Sequence, residues 1–353
     1  MTCHIKLKQL YWYVLKAIWM ENMKKLTIGK IRGLQQISRR SGVFVMCALD
    51  HRSGLISMIE EAQHEEPDFK EIVEMKQDMC AAFGHYASGI LLDPEYGAAQ
   101  CMSDNALSGR TGLLVSIEAT GYEKDPTGRL TTLLKDWGVE KIKRMGASAV
   151  KILVYYRPDI KKLAEKQLKT IEKVAAECVK YDIPFLVEPK TYRVEGEKMD
   201  SAEFAAKLPE MVIETARQIT ALPVDVLKAE FPTDLKYEKD VSKMLEYCKE
   251  LDKASKIPWV ILSAGVDYET FKKQVNIACK AGASGFLGGR AVWQEAMEIT
   301  DRADRTEFFK TIAAKRLMEL ALIAEHNGRP WHEKLGLEYR HLTKPGSDWY
   351  IKY

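Results

Sequence analysis

Val224-Asp225-Val226-Leu227-Lys228-Ala229-Glu230-Phe231-Pro232 reads as a short buried strand that carries a lysine toward its C-terminal end and stops at a proline. Removing a charged amine from water is expensive, so a lysine in such a place tends to lose its proton. A neutral lysine attacks carbonyl carbons and forms Schiff bases. On this run alone the plainer reading is better: a strand-end ammonium that reaches water. The rest of the chain reverses that preference.

Seven more apolar runs resemble this one, so that strands are expected at 43–51, 89–97, 113–120, 149–156, 184–188, 224–231, 259–264 and 284–287. Their near-continuous Val, Ile and Leu content suits parallel strands buried on both faces. Stretches with apolar residues three and four apart lie between them, predicting helices over 68–83, 130–145, 160–181, 202–220, 241–254 and 268–281. Glycines at 146 and 282 stop two of these just before the next strand. The crossover at 98–111 has room for only a small helix. Eight strands alternating with helices over about 250 residues predict an α/β protein of the TIM (β/α)8 barrel class. A doubly wound sheet is the runner-up, but Asp50-His51-Arg52-Ser53-Gly54 lacks the glycine-rich turn it needs.

Composition narrows the function. The chain has 353 residues, is 46% hydrophobic and 29% charged, and carries a net charge of +3, which leaves no basic footprint for nucleic acid. Cys3, Cys47, Cys80, Cys101, Cys178, Cys248 and Cys279 are dispersed without a C-x-x-C pair, the pattern of reduced core thiols in a cytoplasmic protein. Histidines are equally scattered, so no metal site is expected. The apolar run at 10–20 is interrupted by Lys16 and is too short to span a membrane. The expected organisation is an extension at 1–22 outside the fold, a barrel at 23–326, and a tail at 327–353 that serves as lid, homo-oligomer contact or packed segment.

Barrel active sites lie at the C-terminal ends of the strands. Those ends bring Asp50-His51-Arg52, Asp93, Glu118, Lys151, Glu188, Lys228, Ser263-Ala264-Gly265 and Gly288-Gly289-Arg290 to one rim. Glycines after strands seven and eight let backbone N–H groups approach a phosphate, and Arg290 adds a bidentate partner. Lys151 and Lys228 would face one small interior, each disfavouring the other's charge, with Glu188 close enough to move protons. The plainer role for Lys151 is an ion pair with Glu188 or Asp50.

These residues resemble the class I tagatose-1,6-bisphosphate aldolase family over about residues 30–300. The resemblance is carried in order by Ala48-Leu49-Asp50-His51-Arg52, Leu92-Asp93-Pro94-Glu95-Tyr96-Gly97, Thr120-Gly121-Tyr122 with Gly128-Arg129-Leu130, Val150-Lys151-Ile152-Leu153, Phe185-Leu186-Val187-Glu188, Val226-Leu227-Lys228-Ala229-Glu230 and Leu262-Ser263-Ala264-Gly265-Val266. It implies that Lys228 forms the Schiff base with Glu188 and Lys151 beside it, and that Ser263, Gly265, Gly289 and Arg290 hold a phosphate. The family pattern has glutamine where His51 stands. Pro258–Ser263 and 282–293 look closer to a related branch, the class I aldolases of 6-deoxy-6-sulfofructose 1-phosphate.

The expectation is therefore a cofactor-free lyase that cleaves tagatose 1,6-bisphosphate to dihydroxyacetone phosphate and glyceraldehyde 3-phosphate. Asp50 would orient Lys151 or assist proton transfer. His51, Arg52 and Arg129 are the candidates for the C6 end of the ketose. The sulfosugar reaction is the alternative substrate reading. A sugar-phosphate sensor is the alternative of another class, and a sensor has no need of a nucleophile.

Overall fold

The computed structural model describes residues 26–198 and 200–353. The expectation for residues 1–22 falls outside the described residues. Eight parallel strands close into a barrel: β1 (Phe44–Leu49), β2 (Gly89–Leu92), β3 (Gly112–Ser116), β4 (Ala149–Tyr155), β5 (Phe185–Lys190), β6 (Val226–Ala229), β7 (Trp259–Leu262) and β8 (Gly285–Gly288). Each pairs with its sequence neighbours, and β1 closes on β8 through Phe44↔Gly285 and Cys47↔Gly288. All eight expected strands are present, with ends shifted by a few residues.

Alternation along each strand separates two cores. Met46, Ala48, Leu91, Leu114, Ala149, Leu186, Val226, Val260 and Leu287 form one buried cluster inside the barrel. Val45, Cys47, Ile90, Val115, Val150, Val187, Leu227 and Phe286 belong to the larger cluster under the surrounding helices. The period of two then decides the site. Asp50 follows Ala48 by two residues, Lys151 follows Ala149, Glu188 follows Leu186 and Lys228 follows Val226. All four continue the inward-facing series toward the C-terminal rim.

The opposite rim is sealed. Helix α1 (Ile28–Ile37) adds Leu34 and Ile37 to the interior cluster, and Trp331 joins it from the C-terminal region. The Trp331 N–H donates to the Gly42 carbonyl at 2.9 Å. Helix α2 (Ser53–Gln63) follows β1 and was not foreseen in the sequence. Helix α3 (Phe69–Phe83) starts with a reciprocal cap, in which the Asp68 side chain accepts from the Glu71 N–H and the Glu71 side chain from the Asp68 N–H. The crossover helix Ala98–Ser103 is as short as expected.

One helix expectation needs correcting. Of residues 130–145 only Val139–Arg144 is helical. Leu130 instead closes a two-stranded hairpin, Glu123–Asp125 with Gly128–Leu130, and Leu133 bridges Glu118. The Ala119 N–H donates to the Thr132 carbonyl at 2.9 Å and the Leu134 N–H to the Ile117 carbonyl at 3.0 Å. Apolar residues that look helical in spacing are used to pair this loop back onto the end of β3.

Candidate active site

Lys151 is the hub of the site. Its Nζ lies 2.7 Å from Asp50 Oδ2, 2.7 Å from Glu118 Oε1 and 3.1 Å from Glu188 Oε2, and the residue is 1% exposed. Lys228, 4% exposed, places its Nζ 2.8 Å from the same Glu188 Oε2. Two amines from β4 and β6 therefore share one carboxylate oxygen from the strand between them. Lys151 pairs with Leu186 across the ladder and Leu186 with Val226, which brings the three side chains together.

The electrostatics correct one expectation. Burial by itself lowers the Lys151 pKa, but Asp50, Glu118 and Glu188 outweigh it and hold the amine well above its ordinary value. Lys151 is therefore a fixed ammonium, because three carboxylates surround it, and not an amine unsettled by a second lysine. The carboxylates respond in kind. Burial would raise Asp50, but Lys151, then Lys228 and His51, hold it well below the usual carboxylate range. Glu188 is also lowered: burial is opposed by Lys151 and Lys228, while Asp50 acts the other way.

A cavity of about 150 Å³ opens above this cluster, lined by Asp50, Arg52, Glu118, Tyr155, Glu188 and Lys228 among others. Glu118 was visible at a strand end but received no role from the sequence. A second polar layer lies two residues further along the chain, at the end of β5 and just past β6. There Lys190 pairs with Glu230, and Glu230 Oε2 accepts the Thr191 N–H at 2.7 Å.

Beside the cavity, the loops after β7 and β8 form a cup. Ala264 and Gly265 take consecutive positive φ values of 50° and 82°, and Ser263 Oγ accepts the Gly289 N–H at 3.4 Å. A Cβ on Gly265 would lie 2.9 Å from the Arg290 Cζ, so only glycine lets the guanidinium sit this close. The Arg290 carbonyl accepts the Gln294 N–H, but its guanidinium has no hydrogen bond or ion pair among the described residues. Burial lowers its pKa, with Glu188 and Asp50 opposing. Such a set suits an oxyanion: curled backbone, a hydroxyl and a guanidinium without a partner.

The three remaining candidates are placed differently. His51 stands edge-on to Trp293, with ring centroids 5.2 Å apart, and its Cε1 would be 3.0 Å from a Cβ on Gly289. It therefore lies between the cup and the cavity, which it also lines. Burial pushes the imidazole down to about 4, Asp50 opposing and Arg290 reinforcing. Its Nδ1 is buried without a hydrogen-bond partner. Arg52 is held by Glu95 Oε2 at 3.1 Å and by the Glu118 carbonyl at 2.8 Å. Arg129, on the hairpin, lies over the rings of Tyr122, Tyr155 and Tyr192 at 4.5, 5.5 and 5.6 Å and does not line the cavity. Among the described residues no group of three or more His, Cys, Asp and Glu side chains is arranged to hold a metal ion. No helix among them is long and apolar enough to cross a membrane.

Comparison with known proteins bears on the family and the fold. The family described as DeoC/LacD family aldolase matches residues 44–295. The tagatose 1,6-diphosphate aldolase of Staphylococcus aureus strain JH9 is 34% identical over 323 residues, spanning 86% of this chain and 98% of the relative. Among solved structures, the fructose-bisphosphate aldolase of Plasmodium falciparum superposes with a TM-score of 0.66 at 14% identity, over 86% of this chain and 97% of that one. An archaeal fructose 1,6-bisphosphate aldolase gives 0.53 at 22% identity, over 81% and 98%. The two structures support the barrel fold.

Proposed function

The chain belongs to the DeoC/LacD family of aldolases, and from that premise we propose that it is a Schiff-base aldolase acting through Lys228 on a ketose 1,6-bisphosphate, with tagatose 1,6-bisphosphate as the preferred substrate. The carrying observation is that Glu188 Oε2 lies 2.8 Å from Lys228 and 3.1 Å from Lys151.

The Lys228 amine adds to the C2 carbonyl, and Glu188 is placed to receive the proton that the nitrogen releases. Glu188 returns that proton to the carbinolamine hydroxyl, which leaves as water; the protonated imine that remains draws electrons from the neighbouring bond, and Glu188 is again a carboxylate. Glu188 then takes the proton of the C4 hydroxyl. The C3–C4 bond breaks, its electron pair passing into an enamine, and glyceraldehyde 3-phosphate departs. Protonation at C3 and hydrolysis release dihydroxyacetone phosphate and restore Lys228. Lys151 remains charged throughout and holds a substrate oxygen; Asp50 keeps Lys151 in place. Ser263, Gly265, Gly289 and Arg290 take the 1-phosphate, with His51 at the edge of that cup. Arg52, which lines the cavity, is left for the C6 group; Arg129 lies outside the cavity and is not assigned to it. Dihydroxyacetone phosphate plus borohydride should add one reduced triose phosphate to the peptide holding Lys228, read by intact mass and mapping. Lys228→Ala should lose both adduct and turnover. An adduct elsewhere, or none, overturns the mechanism. Comparing kcat/KM for tagatose 1,6-bisphosphate, fructose 1,6-bisphosphate and 6-deoxy-6-sulfofructose 1-phosphate tests the substrate. A sulfonate preference above about tenfold, roughly 1.4 kcal/mol, replaces it with the sulfosugar reaction.

A further inference from the structure

Lys76 has no part in the chemistry above, yet it is the most completely enclosed cation near the site. It projects from α3, whose other buried side chains include Ile72, Met75, Met79 and Cys80. The Lys76 Nζ donates to the Leu49 carbonyl at 2.7 Å and the His51 carbonyl at 2.7 Å, and pairs with the Asp93 carboxylate. Both partners of that pair are 0% exposed. An ammonium has three donors, and here each has an acceptor, which is what allows the group to stay buried.

The identity of the two carbonyls gives the arrangement its meaning. Leu49 and His51 flank Asp50, so Lys76 grips the backbone on both sides of the residue whose Oδ2 lies 2.7 Å from Lys151. The Asp93 Oδ1 accepts the Glu95 and Tyr96 N–H groups at 2.9 and 2.8 Å, and Glu95 in turn holds Arg52. One buried pair thus ties the end of β1 to the end of β2. We propose that Lys76 is a positioning residue: it fixes the Asp50 carboxylate against Lys151, and through Asp93 and Glu95 it fixes Arg52. The catalytic consequence rests on the Schiff-base reading; the clamp itself does not.

Lys76→Met alone would strand the Asp93 carboxylate in the interior. The test therefore uses Lys76→Met/Asp93→Asn, which removes both charges and keeps an acceptor for the Glu95 and Tyr96 amides. Amide hydrogen exchange reads the clamp without the reaction. Residues 49–53 should exchange at least tenfold faster in the double variant while β5 to β7 keep their protection, and unchanged exchange at 49–53 overturns the clamp. Turnover reads the consequence through a cycle with Asp50→Asn. The double variant should lower kcat/KM at least thirtyfold in the wild-type background and less than threefold when Asp50 is already Asn. Equal losses in both backgrounds would mean that Lys76 acts on general stability alone, and would overturn the positioning role. A wild-type protein that traps no adduct on Lys228 defeats the Schiff-base reading, and the exchange result still decides the clamp.

Discussion

Lys151 is surrounded by Asp50, Glu118 and Glu188, so its removal leaves three buried carboxylates facing one another. Lys151→Met should cost about 3–5 kcal/mol in urea unfolding at neutral pH, the usual consequence of breaking a buried ion pair. An unchanged midpoint would show that the ring is not ionised in the folded protein. The pH profile follows from the same charges. Asp50 and Glu188 are depressed from ordinary values of 3.8 and 4.5, so their contribution is complete above those values and is lost as acid carries the pH down through the folded ones. Lys151 is raised above 10.5, so its contribution is complete below that value and fades as alkali takes the pH through its folded pKa. His51 falls from 6.5 to about 4. Between those values the unfolded chain binds a proton that the native one refuses, so stability declines as pH drops across that interval. His51→Gln should remove about 2 kcal/mol of that decline, measured by urea unfolding at several pH values. Equal slopes in variant and wild type would show that the imidazole is solvated. Lys151, Glu188, Lys228 and Asp50 were legible in the sequence because each follows an inward apolar residue by two. Lys76 was not, because a lysine within an amphipathic helix looks like part of its wet face, and only the tertiary fold turns it toward carbonyls of β1.

At the scale of elements, the cup depends on two loops meeting. Gly265 is the contact point, with positive φ and the Arg290 guanidinium against its α-carbon. Gly265→Ala should displace Arg290 and raise KM for the 1-phosphate ketose at least tenfold, with a smaller stability loss of about 1 kcal/mol from the strained backbone. Arg290→Ala should weaken binding by about 1.5–3 kcal/mol, the worth of a charged hydrogen bond, leaving the unfolding midpoint nearly unchanged. A KM unmoved by either substitution would refute the cup. The loop after β3 shows where periodicity misleads. Leu130, Leu133 and Leu134 have the spacing of a helical face, yet the chain turns at 125–128 and pairs residues 132–134 with 117–119. A turn and a long-range bridge outweigh local spacing, and neither partner segment announces the other in sequence. The hairpin also holds Arg129 against three tyrosines, contacts that spacing along the chain does not encode.

The whole molecule assigns one rim of the barrel to reaction and the other to closure. Catalysis in the proposed reading requires only side chains and substrate, so turnover should survive exhaustive dialysis against EDTA. Loss of activity restored by zinc would replace the Schiff-base mechanism with a metal-dependent one. The sealed rim is built by α1 and by the region around Trp331. The C-terminal residue reaches the same side: the Tyr353 hydroxyl bonds Asp182, which also accepts the Gly29 N–H at the start of α1. Anything attached at Tyr353 therefore hangs from the base, behind the mouth. Coupled to a bead or an electrode through that residue, the enzyme should present its open end to the bulk liquid and work about as fast as when free.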